Sequence, residues 1–194
     1  MEQSLAVKVI LGSTRPSRFS DKPGKWIVDL ANQRKDMKAE LLDLRNFSLP
    51  LYNEPTSPSS VKDGMYANEE ARRFAKEIAA ADAFILVSPE YNHGISGVLK
   101  NALDTVYAEW NNKPVGFVSY GSVGGARVVE HLRDVSAELQ MASVRTAVHI
   151  MAPWTLSDEK GELKAGVLDQ YVRSAETMLG QLSLWAKAMK SIRV

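Results

Sequence analysis

The stretch Ala83–Gly94, AFILVSPEYNHG, decides the fold. Its first half shows no polar alternation, so as a strand it must be buried on both faces, the situation of an interior strand in a parallel sheet covered by helices. Pro89 ends the strand by biasing Ser88 to extended geometry. A turn needs little more than Pro89 and Gly94, yet a carboxylate, a phenol, an amide and an imidazole stand between them. Those side chains call for a site at the carboxyl end of the strand.

The same rhythm runs outward in both directions. Leu5–Leu11, Lys38–Leu44, Pro114–Tyr120 and Val144–Ile150 read as four further strands. Between them a helix is predicted from about Lys22 to Lys35, with Ser20 or Asp21 as N-cap and Pro23 in its first turn. A second carries the stripe Ala71, Phe74, Ala75, Ile78 and Ala79. A third runs from Val98 to about Tyr107, and a fourth opens at Gly124–Gly125 and reaches about Gln140. The last buries Leu168, Tyr171, Val172, Ala175, Leu179, Leu182 and Trp185. Trp154, Trp185 and the methionines of the last helix read as core. The alternation predicts an α/β protein, a doubly wound five-stranded parallel sheet in a single domain over residues 1–194, and the strand order taken for it is 2-1-3-4-5. Only Arg45–Tyr66, with Pro50, Pro55 and Pro58, breaks the pattern. It is either a surface excursion or a lid or partner contact through Leu49–Tyr52.

Composition excludes several function classes. With 24 basic and 23 acidic residues the net charge is +1, too small a field for nucleic acid or an anionic membrane as main partner. The absence of Cys removes disulfides, thiolate catalysis and Cys-ligated zinc. The first apolar run is short and interrupted by Lys8, so it reads as a strand and not a signal peptide. No run approaches the roughly 20 apolar residues of a membrane helix, and a cytoplasmic protein is expected. His93, His131 and His149 fall on a loop, a helix and a strand with no ligand spacing, which argues against a metal. A hydrolase is disfavoured by the absence of G-x-S-x-G around Ser119 and Ser122.

For strand order 2-1-3-4-5, ligands bind at the carboxyl ends of strands one and three, where the order reverses. Three polar loops converge there. In Gly12–Ser20, hydroxyls of Ser13, Thr14, Ser17 and Ser20 and the guanidinium groups of Arg15 and Arg18 precede a helix N-terminus, a combination suited to a phosphate. The loop is neither a Walker A motif nor G-x-G-x-x-G. In Pro89–Gly94, Tyr91 can pack on a ring and Asn92 can both donate to and accept from a heteroaromatic edge. Glu90 reads as shaping the loop or capping a helix, and His93 as a possible wall of the same pocket. Tyr120–Gly125 brings glycine backbone to the same rim, with Ser119 and Ser122 beside it.

Three signatures, GSTRPSR (12–18), PEYNHGISGVLKNALD (89–104) and SYGSVGG (119–125), resemble the NADPH-dependent FMN reductases, flavodoxin-like proteins that include quinone, chromate and azo-dye reductases. The similarity of layout covers about residues 5–140. Phe19, Pro23 and Ser96, where many relatives carry Pro, depart from the pattern. The resemblance implies that Ser13, Arg15, Ser20 and Arg18 hold the FMN phosphate and ribityl chain. Pro89, Glu90, Tyr91 and Asn92 would border the isoalloxazine, and Ser119 with Gly121 would complete the site. It implies hydride transfer from NADPH to flavin N5 and on to a small acceptor such as a quinone, azo compound, chromate or free flavin, with no dedicated catalytic residue in the protein. It also implies a homodimer or homotetramer, and inclines Tyr107 and Trp110 to the subunit interface. The competing expectation is a non-enzymatic flavodoxin-like FMN carrier or regulatory module.

Overall fold

The computed structural model describes residues 4–193. Its sheet is wholly parallel: β1 (Leu5–Leu11), β2 (Met37–Asp43), β3 (Ala83–Pro89), β4 (Pro114–Gly121), and then β5 (Ala142–Ser143) and β6 (Val148–Met151), which both pair with β4. The order β2-β1-β3-β4-β5 is the expected one. Along β3, Phe84 and Leu86 join one core and Ile85 and Val87 the other, as the two-residue period of a doubly covered strand requires. Helices α2 (Glu69–Ala79), α3 (Gly97–Thr105) and α4 (Ala126–Glu138) cover the first face; α1 (Asp21–Asn32) and α5 (Val172–Lys190) cover the second. This is the flavodoxin-like arrangement.

The fifth strand is split. A continuous strand over Val144–Ile150 was the expectation, but side chains intercept its backbone between β5 and β6. The Arg133 guanidinium of α4 donates to the carbonyls of Val144 and Arg145 at 3.0 and 2.8 Å, and Gln181 of α5 accepts from the Thr146 amide at 3.0 Å. Backbone groups satisfied by side chains need no ladder partner, so after the Val144 amide has bonded the Val115 carbonyl at 3.0 Å the chain leaves the sheet for residues 145–147 and rejoins it.

The tryptophans divide differently from the sequence expectation. Trp110 is wholly buried, edge-on to Phe84 at 4.8 Å and to Phe74 at 6.0 Å, and so is core and not interface. Trp185, expected in the core, is 44% exposed, because Leu182 and Ala186 already fill the inward stripe of α5. Trp154, also expected in the core, is 67% exposed, since it follows β6 at the sheet's carboxyl edge. On α2, Ala71, Phe74, Ala75 and Ile78 are buried, while Ala79 at the last turn is exposed.

The 45–66 segment is ordered against α3. The Asn101 side-chain carbonyl accepts from the Tyr52 amide at 2.9 Å, and its amide donates to the Pro50 carbonyl at 2.8 Å. The segment walls a cavity of about 310 Å³ of its own, bounded by residues such as Pro50, Tyr52, Val61 and Tyr66. Among the described residues no helix is long and apolar enough to cross a membrane.

Candidate functional site

A cleft of about 550 Å³ opens at the carboxyl ends of β1, β3 and β4, within the range of small-molecule sites. The three sequence-predicted loops all reach it: Arg15, Ser17 and Arg18 from the first, Pro89, Glu90 and Tyr91 from the second, Tyr120 and Gly121 from the third. Parallel topology explains the convergence, because every crossover helix starts on this edge.

Hydrogen bonds tie the loops together. Gly12 donates its amide to the Val87 carbonyl at 2.8 Å, and a Cβ there would lie 2.9 Å from Leu99 and 3.0 Å from that carbonyl. Only glycine lets β1 turn away so close to β3. The hydroxyls of Ser13 and Tyr91 meet at 3.1 Å, and Ser96 donates to the Gly12 carbonyl at 2.5 Å while accepting from the Leu99 amide as N-cap of α3. The departure at Ser96 thus has a function: a hydroxyl there latches the first loop to the second, as proline could not.

Arg18 lies under the first loop with its side chain wholly buried. It donates to both Asp43 oxygens at 2.8 and 2.6 Å, to Asp21 through Nε and Nη2, and to the Ser13 carbonyl at 2.6 Å. Partial burial works to raise the Asp43 pKa, but hydrogen bonds from Arg18 and then Arg45 outweigh it and hold the carboxyl well below the usual carboxylate range. Arg15 contrasts with this. Its side chain is exposed at the cleft and makes no hydrogen bond or ion pair to any described residue; only its backbone is held, the amide approaching Ser13 Oγ at 3.4 Å and the carbonyl accepting from the Arg18 amide at 3.2 Å. Nor does any described backbone carbonyl accept from the amides of Ser13, Thr14 or Ser17.

Glu90 does what a carboxylate before a helix is suited to do. Gly125, the N-cap of α4, has no side chain to cap with, and Glu90 takes that part: it accepts from the amides of Arg127 at 3.0 Å and Val128 at 3.4 Å, and pairs with the Arg127 guanidinium at 2.7 Å. Tyr91 and Gly94 exchange two backbone hydrogen bonds, which puts Asn92 and His93 at the tip of a two-residue turn with φ of 49° and 66°. Both tip residues are exposed and lie outside the cleft's lining. Ser119 is buried behind the third loop, donating to the Gly124 carbonyl at 2.7 Å with His149 Nδ1 3.0 Å from its Oγ. Ser20 is buried as well, beside Tyr120, whose phenol is pushed up by burial. Phe19 and Tyr120 meet edge to face at 5.2 Å on the cleft wall.

A fourth wall was not foreseen. Pro153 and Trp154 line the cleft, as do Ser157 and Gly161 of the hairpin beyond them. Ala152 donates its amide to the Gly121 carbonyl at 2.9 Å, and Lys22 of α1 donates to Ser157 Oγ at 2.9 Å and to the Gly161 carbonyl. The sequence signal for this wall was topological: Trp154 follows the fifth strand on the same edge as the other loops.

The residues present fit FMN. An unpaired guanidinium, open loop amides and the N-terminus of α1 form a cradle for a phosphate monoester. Beside it lies a cleft walled by Tyr91, Tyr120 and Pro89, flat surfaces against which a ring can lie.

Residues 5–155 match the sequence profile of the NADPH-dependent FMN reductase family. The NAD(P)H-dependent FMN reductase ntnL of Nectria sp is 33% identical over 191 residues, covering 96% of this chain and 94% of that one. The quinone reductase of Pseudomonas putida is 27% identical over 201 residues, covering 99% of this chain and all of its own. Among solved structures, the flavoenzyme NAD(P)H:(acceptor) oxidoreductase FerB of Paracoccus denitrificans superposes with a TM-score of 0.68 at 22% identity, over 96% of this chain and 98% of its own, a likeness of fold. A loop layout read from three motifs, a cleft that those loops close and a profile spanning most of the sequence agree: the chain belongs to the NADPH-dependent FMN reductase family.

Proposed function

We propose that the protein oxidises NADPH and reduces a small acceptor, such as a quinone, azo compound, chromate or free flavin, with FMN held in the cleft between the β1, β3 and β4 loops. The observation that supports this most is the unpaired Arg15 guanidinium beside open amides in the loop that leads into α1, on the rim of a cleft with aromatic walls. When bound, FMN supplies the redox chemistry, accepting hydride from the nicotinamide at N5 and passing electrons to the acceptor. The chain's own part is to bind, orient and exclude water. Arg15 and the amides of Thr14 and Ser17 take the phosphate, with Ser13 and Ser20 packed behind them. Pro89, Glu90, Tyr91 and Gly121 border the ring, Asn92 supports that border from the turn, and Ser119 fixes the third loop. Arg18 acts one layer down, holding the Ser13 carbonyl and so the shape of the phosphate loop.

Two measurements test the reading. Purified protein reconstituted with FMN and mixed anaerobically with NADPH is expected to lose its visible flavin absorbance; a sample that stays yellow refutes the enzyme assignment. Arg15→Ala removes a charge-assisted contact worth about 1.5–3 kcal/mol, so flavin titration should show FMN affinity falling by about ten-fold to over a hundred-fold. Unchanged affinity would remove the phosphate from the first loop.

A further inference from the structure

We infer that Trp154 is the stacking surface for the electron acceptor, a residue that selects planar aromatic acceptors over inorganic oxyanions. The inference rests on the FMN reading above and goes past it to the choice of substrate. Three observations carry it.

The first is the ring itself. Trp154 lines the cleft with two thirds of its surface exposed, while Trp110 is wholly buried. A large aromatic left open on a concave wall is poised to be covered by a ligand. The second is how the ring is held there. Ala152, not a glycine, is in the left-handed region at φ 42° and ψ 59°. Such strain persists only where its surroundings impose it, and it gathers at functional sites. Here the Ala152 amide is pinned to the Gly121 carbonyl, on the loop that borders the flavin ring. Its carbonyl accepts from the Thr155 amide and hydroxyl at 2.9 and 2.8 Å, closing a short turn over Pro153–Thr155. The strained turn therefore fixes Trp154 relative to the flavin border.

The third observation is the charge inventory. Arg15, Arg18 and Lys22 are the cationic side chains among the described lining residues. Arg18 is fully taken up by the carboxylates of Asp21 and Asp43 and the Ser13 carbonyl, and Lys22 gives two of its three donors to Ser157 Oγ and the Gly161 carbonyl. Arg15 serves the phosphate. An oxyanion acceptor would meet on this wall a single ammonium already tethered to the hairpin, whereas a flat ring meets the open indole.

The test uses the FMN-reconstituted protein and compares 1,4-naphthoquinone with chromate. In an exchange where NADPH leaves before the acceptor binds, kcat/KM for the acceptor reports the oxidising half alone. Trp154→Ala is expected to lower the naphthoquinone-to-chromate ratio of kcat/KM at least about five-fold, through a raised KM for the quinone, and Trp154→Phe to restore most of it, since an aromatic pair contributes about 0.5–1.5 kcal/mol beyond the area it buries. An unchanged ratio, or equal losses with both acceptors, overturns the inference. So does a parallel fall in FMN affinity, which would make the indole a flavin platform. If the wild-type protein takes up no FMN at all, the underlying reading fails, and that result is visible before any variant is made.

Discussion

Arg18→Met is expected to lower the unfolding free energy by about 3 kcal/mol or more and to abolish stable FMN binding. Removing one partner of a buried ion pair costs about 3–5 kcal/mol, because the remaining charge is left buried without its counter-ion. Here the guanidinium is wholly buried and joins Asp43, the last residue of β2, to Asp21, the first of α1, and to the Ser13 carbonyl. Arg45 also contacts Asp43, at 2.7 Å, and offsets part of the loss, which places the effect toward the lower end. Arg18→Lys should fall between the two, since a lysine keeps the charge but cannot present the bidentate fork. The pH dependence follows with its sign. Asp43 titrates lower in the folded chain than in the unfolded one, so its contribution is fully present above the unfolded value of about 4 and is lost as pH falls from there toward the folded value. Urea unfolding at pH 7 and pH 3 checks both statements: wild type should lose more stability over that interval than Arg18→Met. Equal midpoints at pH 7 would mean that the cluster does not form in solution.

Arg18 also shows where the sequence stops being legible. The first four strand runs and the helix stripes follow from local periodicity, and they emerged within a few residues of their expected bounds. The convergence of the loops on one cleft followed from topology. What local pattern could not show was which cation opens on the cleft and which is spent within the protein. Arg15 and Arg18 stand three residues apart in the same polar loop, and only the arrival of Asp43 from β2 separates their roles. The same holds for Asn92 and Glu90. Both sit in one motif, yet a two-residue turn carries Asn92 outward while the bare N-terminus of α4 draws Glu90 inward. The split of the fifth strand has a similar origin, since Arg133 and Gln181 are brought to residues 144–146 by helices on opposite faces. Trp154 and Trp185 were misplaced because hydrophobicity alone does not tell an exposed aromatic on a cleft wall or an outer helix face from a buried one.

The third loop gives the other large expected effect. Gly125→Ala should destabilise the fold by about 2–5 kcal/mol and weaken FMN binding with it. At φ 71° an added methyl meets the left-handed penalty of about 1–2 kcal/mol. The new Cβ would lie 2.7 Å from Ser119 Cβ and 3.0 Å from the Tyr120 amide nitrogen, atoms of a central strand that cannot swing aside, which adds about 1–3 kcal/mol of overpacking. Relief requires moving the loop outward. That shift would part Ser119 from the Gly124 carbonyl and draw the first turn of α4 away from Glu90, so the border of the ring and the cap of the helix would loosen together. Gly180→Ala is the control. It lies within α5 with nothing within 4 Å of an added Cβ, and there the change should stabilise by about 0.5–1 kcal/mol through helix propensity. Paired urea melts and FMN titrations of the two variants separate the claims. If Gly125→Ala unfolds at the same midpoint as wild type, the left-handed turn is not required, and the packing of the third loop against β4 cannot be what holds the cleft in shape.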